Sequence, residues 1–531
     1  MTTRPARGDN GVGRGACRGN AIHIGDNLPL LRSRIPHESV DLIYMDPPFN
    51  SGTKYTIRLH EQGPERSVQE APAFDDRPRW GAESEDAYRR LLDHGPKAVS
   101  ELLRAVYGFL GRGSMAAYLV LMAETLLELR RTLTSSGSIY LHCDPTASHY
   151  LKLIMDATFG PRMFRNEIVW NRSHTRSSIS QVYRRAHDTI LFYTKTDTYT
   201  FRMQFRDLSE ASRDLYRMKD HRGYYQPVPL LVSGRRNGRT GRPWRGIDPN
   251  SRGKSGMHWI TDPANIDEYQ RRGLIHWPKK GTGTPRLKYY LADNKGVPVS
   301  DFWDDIPLIP SSSSESLGFP TQKPESLLIR ILAASTDPGH TVLDPFSGSG
   351  TTAAVAEAMG RRWIVMDKSF LALALLKHRL ARDSGERARP CEVVGAPTSV
   401  EAAGDLAHRD PLQFRFWALS LVNARPATAT TDSEKGTIHG HFEPVGAEGK
   451  KAGPCAVLVP DPRNGTPSPD ELSSALRSRH ARSLLVISLD ELPESLRKEF
   501  HGSAVRFLTV REILQEAPVQ KRPDSNATSN R

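Results

Sequence analysis

Short apolar runs alternate with stretches of helical spacing along most of the chain, and this alternation predicts an α/β domain built on a largely parallel sheet. Val40-Asp41-Leu42-Ile43-Tyr44-Met45 reads as a strand that runs straight into Asp46-Pro47-Pro48-Phe49. Apolar positions from Tyr118 to Leu133 recur at helical spacing, Gly137 follows as a stop, and Ser138-Ile139-Tyr140-Leu141-His142 is the next strand. Further on, Thr341-Val342-Leu343-Asp344 is a strand. Gly348-Ser349-Gly350 then turns into a helix expected over 351–359, which Gly360 caps. Trp363-Ile364-Val365-Met366-Asp367 completes a βαβ unit.

Elsewhere the rhythm breaks, and the breaks divide the chain. Residues 1–18 read as a disordered basic arm and 517–531 as a disordered tail. The main domain is expected over 19–382, with an insertion at 171–300 dense in Arg, Lys, Gly, Pro and aromatics. Its basic and aromatic residues include Arg235, Arg236, Arg239, Arg242, Trp244, Arg245, Trp259, Trp277, Lys279, Lys280, Tyr289 and Tyr290. Residues 383–409 read as a polar linker, and 410–516 as a smaller α/β domain.

Length and charge narrow the class. A chain of 531 residues calls for two or three domains. A formal net charge of +13 favours a polyanionic partner, although a basic surface also serves solubility. Cys17, Cys143, Cys391 and Cys455 lie far apart with no CxxC pair, which fits a reducing cytoplasm better than a disulfide framework or structural zinc. No stretch reads as a signal peptide or membrane span.

Two loops carry candidate chemistry. Asp344-Pro345-Phe346-Ser347-Gly348-Ser349-Gly350-Thr351-Thr352 lies between strand and helix, where nucleotide-like cofactors bind in doubly wound sheets. It is not a P-loop, since no Lys follows Gly350, and it lacks GxGxxG spacing. Asp367, at the end of the next strand, is placed to accept hydrogen bonds from two ribose hydroxyls. Taken alone, such glycines also serve an ordinary tight turn. The other loop, Asp46-Pro47-Pro48-Phe49, stiffens a strand end and fixes an acid and a carbonyl there. Those two acceptors suit an exocyclic amine on a base, a poor nucleophile whose lone pair is delocalised, and Phe49 offers a stacking face. By itself the tetrapeptide is also a plain strand terminator with a cap Asp.

Together, and in this order, the loops and the basic insertion resemble the β-class of N6-adenine and N4-cytosine DNA methyltransferases. Phe319-Pro320-Thr321-Gln322-Lys323-Pro324-Glu325 is similar to that family's segment ahead of the glycine loop. Leu141-His142-Cys143-Asp144-Pro145-Thr146, Phe164-Arg165-Asn166-Glu167-Ile168-Val169-Trp170 and Pro243-Trp244-Arg245-Gly246 resemble the type III-like adenine-specific subgroup. The resemblance implies a Rossmann-like sheet that binds S-adenosyl-L-methionine, with the insertion as target-recognition region. It also implies methyl transfer to the N6 of adenine in double-stranded DNA. Asp46 and the Pro47 carbonyl would hold the amine, with Pro48 stiffening the loop and Phe49 stacking on the base. Asp344, Phe346, Gly348 and Gly350 would shape the cofactor pocket, and Asp367 would bind the ribose. Thr321 and Lys323 would meet the cofactor carboxylate, and Asp26 would lie near its adenine. No metal is required. Cys143, flanked by His142 and Asp144, reads as a core residue rather than a nucleophile.

The segment opening at Asp410-Pro411-Leu412-Gln413-Phe414-Arg415-Phe416-Trp417 resembles a restriction-endonuclease-like domain. His439 stands where that pattern has a metal-binding acid, and Pro460 stands where it has a lysine, so a non-cutting version is expected, with an unrelated α/β appendage as the alternative. A homodimer and a restriction subunit are both compatible partners, and a cytoplasmic, nucleoid-associated location follows. N4-cytosine methylation and a non-catalytic DNA-binding subunit are the competing readings.

Overall fold

The computed structural model describes residues 19–516 except 49–53, 61–67, 76–77, 173–180, 182, 184, 279–282, 311, 428–438, 443–453 and 477–481. Phe49, Lys279, Lys280, the arm at 1–18 and the tail at 517–531 therefore lie outside the described residues.

The main sheet is built from β1 (Asn20–Ile24), β2 (Val40–Met45), β3 (Leu133–Cys143), β4 (Phe164–Asn171), β5 (His187–Thr194), β6 (Phe302–Trp303), β7 (Thr341–Asp344), β8 (Arg362–Asp367) and β9 (Cys391–Val394). Their spatial order is β6-β4-β5-β3-β2-β7-β8-β1-β9. From β3 across to β9 every neighbouring pair is parallel. Only β5 runs antiparallel, between β3 and β4. The central strands are continuous apolar runs, as strands covered on both faces must be. Leu42, Ile43, Val342 and Leu343 are all fully buried. From β2 the chain crosses leftward in this order to β3, whereas from β7 it crosses rightward to β8. The carboxyl ends of β2 and β7 therefore flank a topological switch point, where α/β sheets open a crevice for ligands. The helices that matter below are α1 (Ser114–Thr132), α2 (Glu325–Ser335), α3 (Thr351–Ala358), α4 (Phe370–Asp383) and α5 (Pro411–Leu421).

Several boundaries depart from the sequence pattern. α1 ends at Thr132, and Leu133 already pairs with Val40 in the sheet. The register then slips before Leu42 meets Ser138, so Gly137 sits in a bulged strand rather than stopping a helix. A Cβ on Gly137 would lie 2.8 Å from Leu133 Cδ2. The compact insertion is Met203–Ser300 rather than 171–300, because the apolar run at 189–193 joins the main sheet as β5. The stretch expected as a linker holds β9, which pairs with β1, and a helix over Val400–Arg409. The turn into α3 and the left-handed Gly360 behind it follow the sequence reading.

The insertion carries a four-stranded antiparallel sheet in the order Ile275–His276, Arg286–Tyr290, Gly223–Pro229, Met218–Asp220. Leu230, Leu231, Trp244, Trp259, Ile266 and Ile275 form its core. Near the C-terminus a five-stranded sheet runs Arg425–Pro426, Gly440–Phe442, Cys455–Leu458, Ser483–Ser488, Val505–Thr509, its last three strands parallel. It follows α5, which packs on α4, where Gln413 Oε1 accepts the Phe370 N–H at 2.8 Å. Among the described residues no helix is long and apolar enough to cross a membrane.

Candidate active site

At the end of β2, Pro47 has no N–H to give and the ladder stops, leaving Asp46 at the lip of the switch-point crevice. One carboxylate oxygen, Oδ2, is ion-paired with Lys323 Nζ, which the chain supplies from 277 residues away. The other, Oδ1, is buried and has no hydrogen-bond partner among the described residues. Lys323 is itself buried, and its ammonium also donates to the Thr321 carbonyl at 3.3 Å. Thr321 adopts φ +61°, a left-handed kink rare outside glycine, and its side chain is exposed. The residue types picked from the sequence are thus adjacent, but Lys323 faces the Asp46 carboxylate.

The segment bearing Lys323 is braced from behind. Arg379, fully buried on α4, donates to Thr351 Oγ1 at 2.9 Å and to Glu325 Oε1 at 2.8 Å. Thr351 in turn donates to the Lys323 carbonyl at 3.2 Å. Gln322 bridges the Glu315 carbonyl and the Leu317 N–H, at 2.8 and 2.9 Å. The first turn of α3, the segment before α2 and the pairing of Asp46 are therefore one connected structure.

Beside it lies the glycine loop. Asp344 Oδ1 accepts the Phe346 N–H at 2.9 Å and Oδ2 the Thr352 hydroxyl at 2.6 Å. Burial pushes this carboxyl up to about 7, and Asp46 and Asp367 push in the same direction. Gly348 and Gly350 have φ +51° and +75°, conformations that suit glycine. A Cβ on Gly350 would meet Leu376 Cδ1 at 2.5 Å. Phe346 is half-buried against the main core. Asp367 accepts the N–H groups of Gly348 and Ser369, both at 2.9 Å, and burial raises it to about 6. The Lys368 backbone N–H also donates to this carboxylate. Asp26 is exposed and ion-paired with Lys368, the residue after Asp367.

One chain of buried polar groups escaped sequence reasoning. The Tyr44 hydroxyl lies 2.9 Å from His142 Nδ1, and His142 Nε2 lies 3.2 Å from Asp188 Oδ2. Arg172 Nε faces Asp188 Oδ1 at 2.9 Å, and the Trp170 ring meets His142 edge-on at 5.7 Å. Burial, then the charges of Asp46, Asp344 and Asp188, push Tyr44 well above the ordinary phenol value, so it stays a neutral donor. Burial alone would raise Asp188, but its His142 bond and the charges of Arg172 and Lys323 outweigh this and hold it low. The consistent assignment has Tyr44 donating to Nδ1 and Nε2–H donating to Asp188. Strand alternation places Tyr44 on the face of Asp46, the only signal the sequence offered.

In the C-terminal sheet, His439 is buried and its Nδ1 accepts the Val459 N–H at 2.8 Å. Burial and the charge of Arg415 hold its pKa well below the usual histidine range. The neighbouring Thr437 and Ile438 lie outside the described residues.

An acid at one strand end and a glycine loop at the next, across a switch point, make the kind of crevice in which α/β sheets hold nucleotide-like ligands. The profile of the N6/N4 DNA methylase family matches residues 40–375, and the chain belongs to this family. The type II methyltransferase M.EcaI of Enterobacter cloacae is 30% identical over 365 residues, 68% of this chain and 69% of that one. The Mod subunit of the type III restriction-modification enzyme StyLTI of Salmonella typhimurium is 27% identical over 382 residues. That match takes in 69% of this chain and 54% of the subunit. Among solved structures, the PvuII DNA methyltransferase (cytosine-N4-specific) aligns with 15% identity and a TM-score of 0.32, over 68% of this chain and 86% of that one.

Proposed function

We propose that the chain methylates the N6 amine of adenine in double-stranded DNA, using S-adenosyl-L-methionine. Family membership supports methylation of DNA. One observation carries the reading at this site: Asp46 has one oxygen committed to Lys323 and the other buried without a partner among the described residues. Such an unmet buried acceptor costs about 1–3 kcal/mol, which an incoming amino N–H relieves.

On this reading the amine donates one N–H to Asp46 Oδ1 and the other to the Pro47 carbonyl. Both contacts withdraw the lone pair from the ring and draw the nitrogen toward tetrahedral geometry. As the methyl carbon passes to the nitrogen lone pair, its bond to sulfur would break with the electron pair staying on sulfur, and the nitrogen would release its surplus proton to Asp46 Oδ1. Pro48 keeps the loop stiff, and Phe49 stacks on a base taken out of the duplex. The residues at β7 and β8 fit the cofactor. Two carboxyls raised to about 7 and about 6 by burial suit a ligand that brings a positive sulfonium and hydroxyl donors. When bound there, S-adenosyl-L-methionine supplies an electrophilic methyl group. Asp367 would hold the ribose, and Asp344, Phe346, Gly348 and Gly350 would line the pocket. Asp26 would stand at the adenine side and Thr321 at the carboxylate side, while Lys323 serves Asp46.

Adenine rather than cytosine rests on the likeness of Asp46-Pro47-Pro48-Phe49 and Leu141-His142-Cys143-Asp144 to the adenine-specific subgroup. The type III Mod relative supports a link to restriction. Single-molecule sequencing of DNA from cells expressing the protein tests the proposal. N6-methyladenine at one motif, lost in Asp46→Ala, is the expected outcome. N4-methylcytosine would overturn the adenine assignment, and no modification by the wild type would overturn the catalytic reading.

A further inference from the structure

Within the insertion, Trp244-Arg245-Gly246-Ile247 forms a two-residue hairpin turn. Trp244 and Ile247 exchange both backbone hydrogen bonds, at 3.0 and 2.9 Å, and Arg245 and Gly246 have φ +47° and +79°. A turn of this kind favours Asn, Asp or Gly at its first central position, so arginine there is held against backbone preference.

The turn stands on a rigid base. The Trp244 ring stacks on Trp277, with centroids 5.8 Å apart and planes 13° apart, and meets Trp259 edge-on at 5.8 Å. All three indole N–H groups have acceptors: Asp267 Oδ1 at 3.0 Å, Gln270 Oε1 at 2.9 Å and the Arg242 carbonyl at 3.0 Å. Asp267 and Gln270 lie one turn apart on the helix Pro263–Arg271. The same Asp267 Oδ1 lies 3.6 Å from Arg245 Nε, and the Arg245 guanidinium carbon is 5.3 Å from the Trp244 ring centre. Arg245 itself is exposed. The local fold thus presents a cation on a fixed platform and steadies the Nε side of its guanidinium, leaving the Nη1–Nη2 fork as the edge that Asp267 does not engage.

We infer that Arg245 is a specificity-determining residue that reads a guanine of the target sequence, its Nη1–Nη2 fork donating to O6 and N7 in the major groove. The assignment rests on the DNA-methylation reading above. A phosphate contact needs charge alone, which the exposed Arg236, Arg239 and Arg242 of the same loop supply; none of the three has the left-handed backbone of Arg245, and Arg239 meets only Asp262 Oδ2, at 3.8 Å, with no aromatic platform beneath it among the described residues. Orientation is what the Arg245 turn adds, and orientation is what base reading requires.

Arg245→Asn tests this, because asparagine suits the turn and its melting temperature should equal or exceed that of the wild type. Methylated motifs are mapped for wild type, Arg245→Asn and Arg245→Lys by sequencing DNA from expressing cells. The expected result is a motif guanine at which both variants accept other bases, with preference for the wild-type site down about 10-fold. An unchanged motif and rate would overturn the assignment. So would a uniform loss at all sites with weaker salt dependence, which marks a phosphate contact, or a melting temperature below wild type in Arg245→Asn. If the wild-type protein modifies no DNA, the methylation reading fails; an unchanged motif in an active Arg245→Asn protein removes only the Arg245 assignment.

Discussion

Asp46 directly follows a strand, Asp461 lies three residues beyond one, and each precedes a proline, yet the chain uses the two acids in opposite ways. Asp461 turns back on its own neighbour: Oδ1 accepts from the Arg463 N–H and Nε, at 2.9 and 3.1 Å, and Oδ2 accepts from Nη2 at 2.8 Å. It also caps the short 3-10 turn Pro462–Asn464. Among the described residues Asp46 has no such local fork. Its counter-ion comes from 277 residues away, and its second oxygen is buried and unmet among the described residues. By default Asp-Pro at a strand end caps a turn. It becomes a reactive group when the fold meets half of its bonding capacity from a distance and withholds the rest. Local satisfaction stabilises, and incomplete satisfaction leaves room for substrate.

Breaking the distant partner tests this contrast most severely. Lys323→Met leaves Asp46 Oδ2 without its cation while the neighbouring Asp344 and Asp188 remain. Misplacing one reactive contact costs about 100-fold, so kcat should fall by about that factor. The KM for S-adenosyl-L-methionine should stay close to wild type, as measured by steady-state methylation of a plasmid. Removing one member of a buried pair is also destabilising, by about 3–5 kcal/mol. Adding Asp46→Asn to Lys323→Met should therefore restore much of the melting temperature but none of the activity. A raised KM for the cofactor with kcat unchanged would instead return Lys323 to the cofactor carboxylate.

A smaller effect is expected at Asp344, where burial rather than pairing sets the charge. Its folded pKa, about 7, lies above the ordinary 3.8, so the fold favours the protonated form. That favourable contribution is fully present below pH 4 and is lost as pH rises toward 7. Asp344→Asn keeps the shape and stays neutral. Its melting temperature relative to wild type should therefore climb by roughly 3 °C or more between pH 4 and pH 7, in the absence of cofactor. A constant difference across that range would show that Asp344 is not held protonated by burial.

Much of this arrangement was legible in the sequence because it is local. β2, β7 and β8 are short apolar runs, and the turn before α3 needs the left-handed glycines that stand there. The loops that end β2 and β7 could be placed at strand ends from proline and glycine alone. What the sequence hid is set by register and distance. The Lys323–Asp46 pair joins segments that no periodicity connects, and the Tyr44–His142–Asp188 chain exists only because β2, β3 and β5 are neighbours. Gly137 misled for a related reason: a bulge and a helix end make the same demand for a small residue, and only the pairing of Leu133 with Val40 tells them apart. β9 was missed because four residues at a sheet edge, half-buried, carry too little apolar pattern to register.

Asp461→Asn completes the comparison at its quiet end. Asp461 loses one charge but keeps an oxygen able to cap the turn. The hydrogen bond from Arg463 now holds its carboxyl below the usual range, more than offsetting the opposing effect of burial. A carboxyl held low contributes stability that is present above the ordinary value and is lost as pH falls through the folded one. The variant should accordingly be less stable than wild type by about 1 kcal/mol at pH 7, and the gap should close as the pH drops below 4. Denaturant melts at the two pH values measure this directly. Methyl transfer should be unchanged, since the acid is spent entirely on Arg463 and the turn it caps. If Asp461→Asn instead reduced methylation as strongly as Lys323→Met, local satisfaction would not be what separates the two Asp-Pro sites.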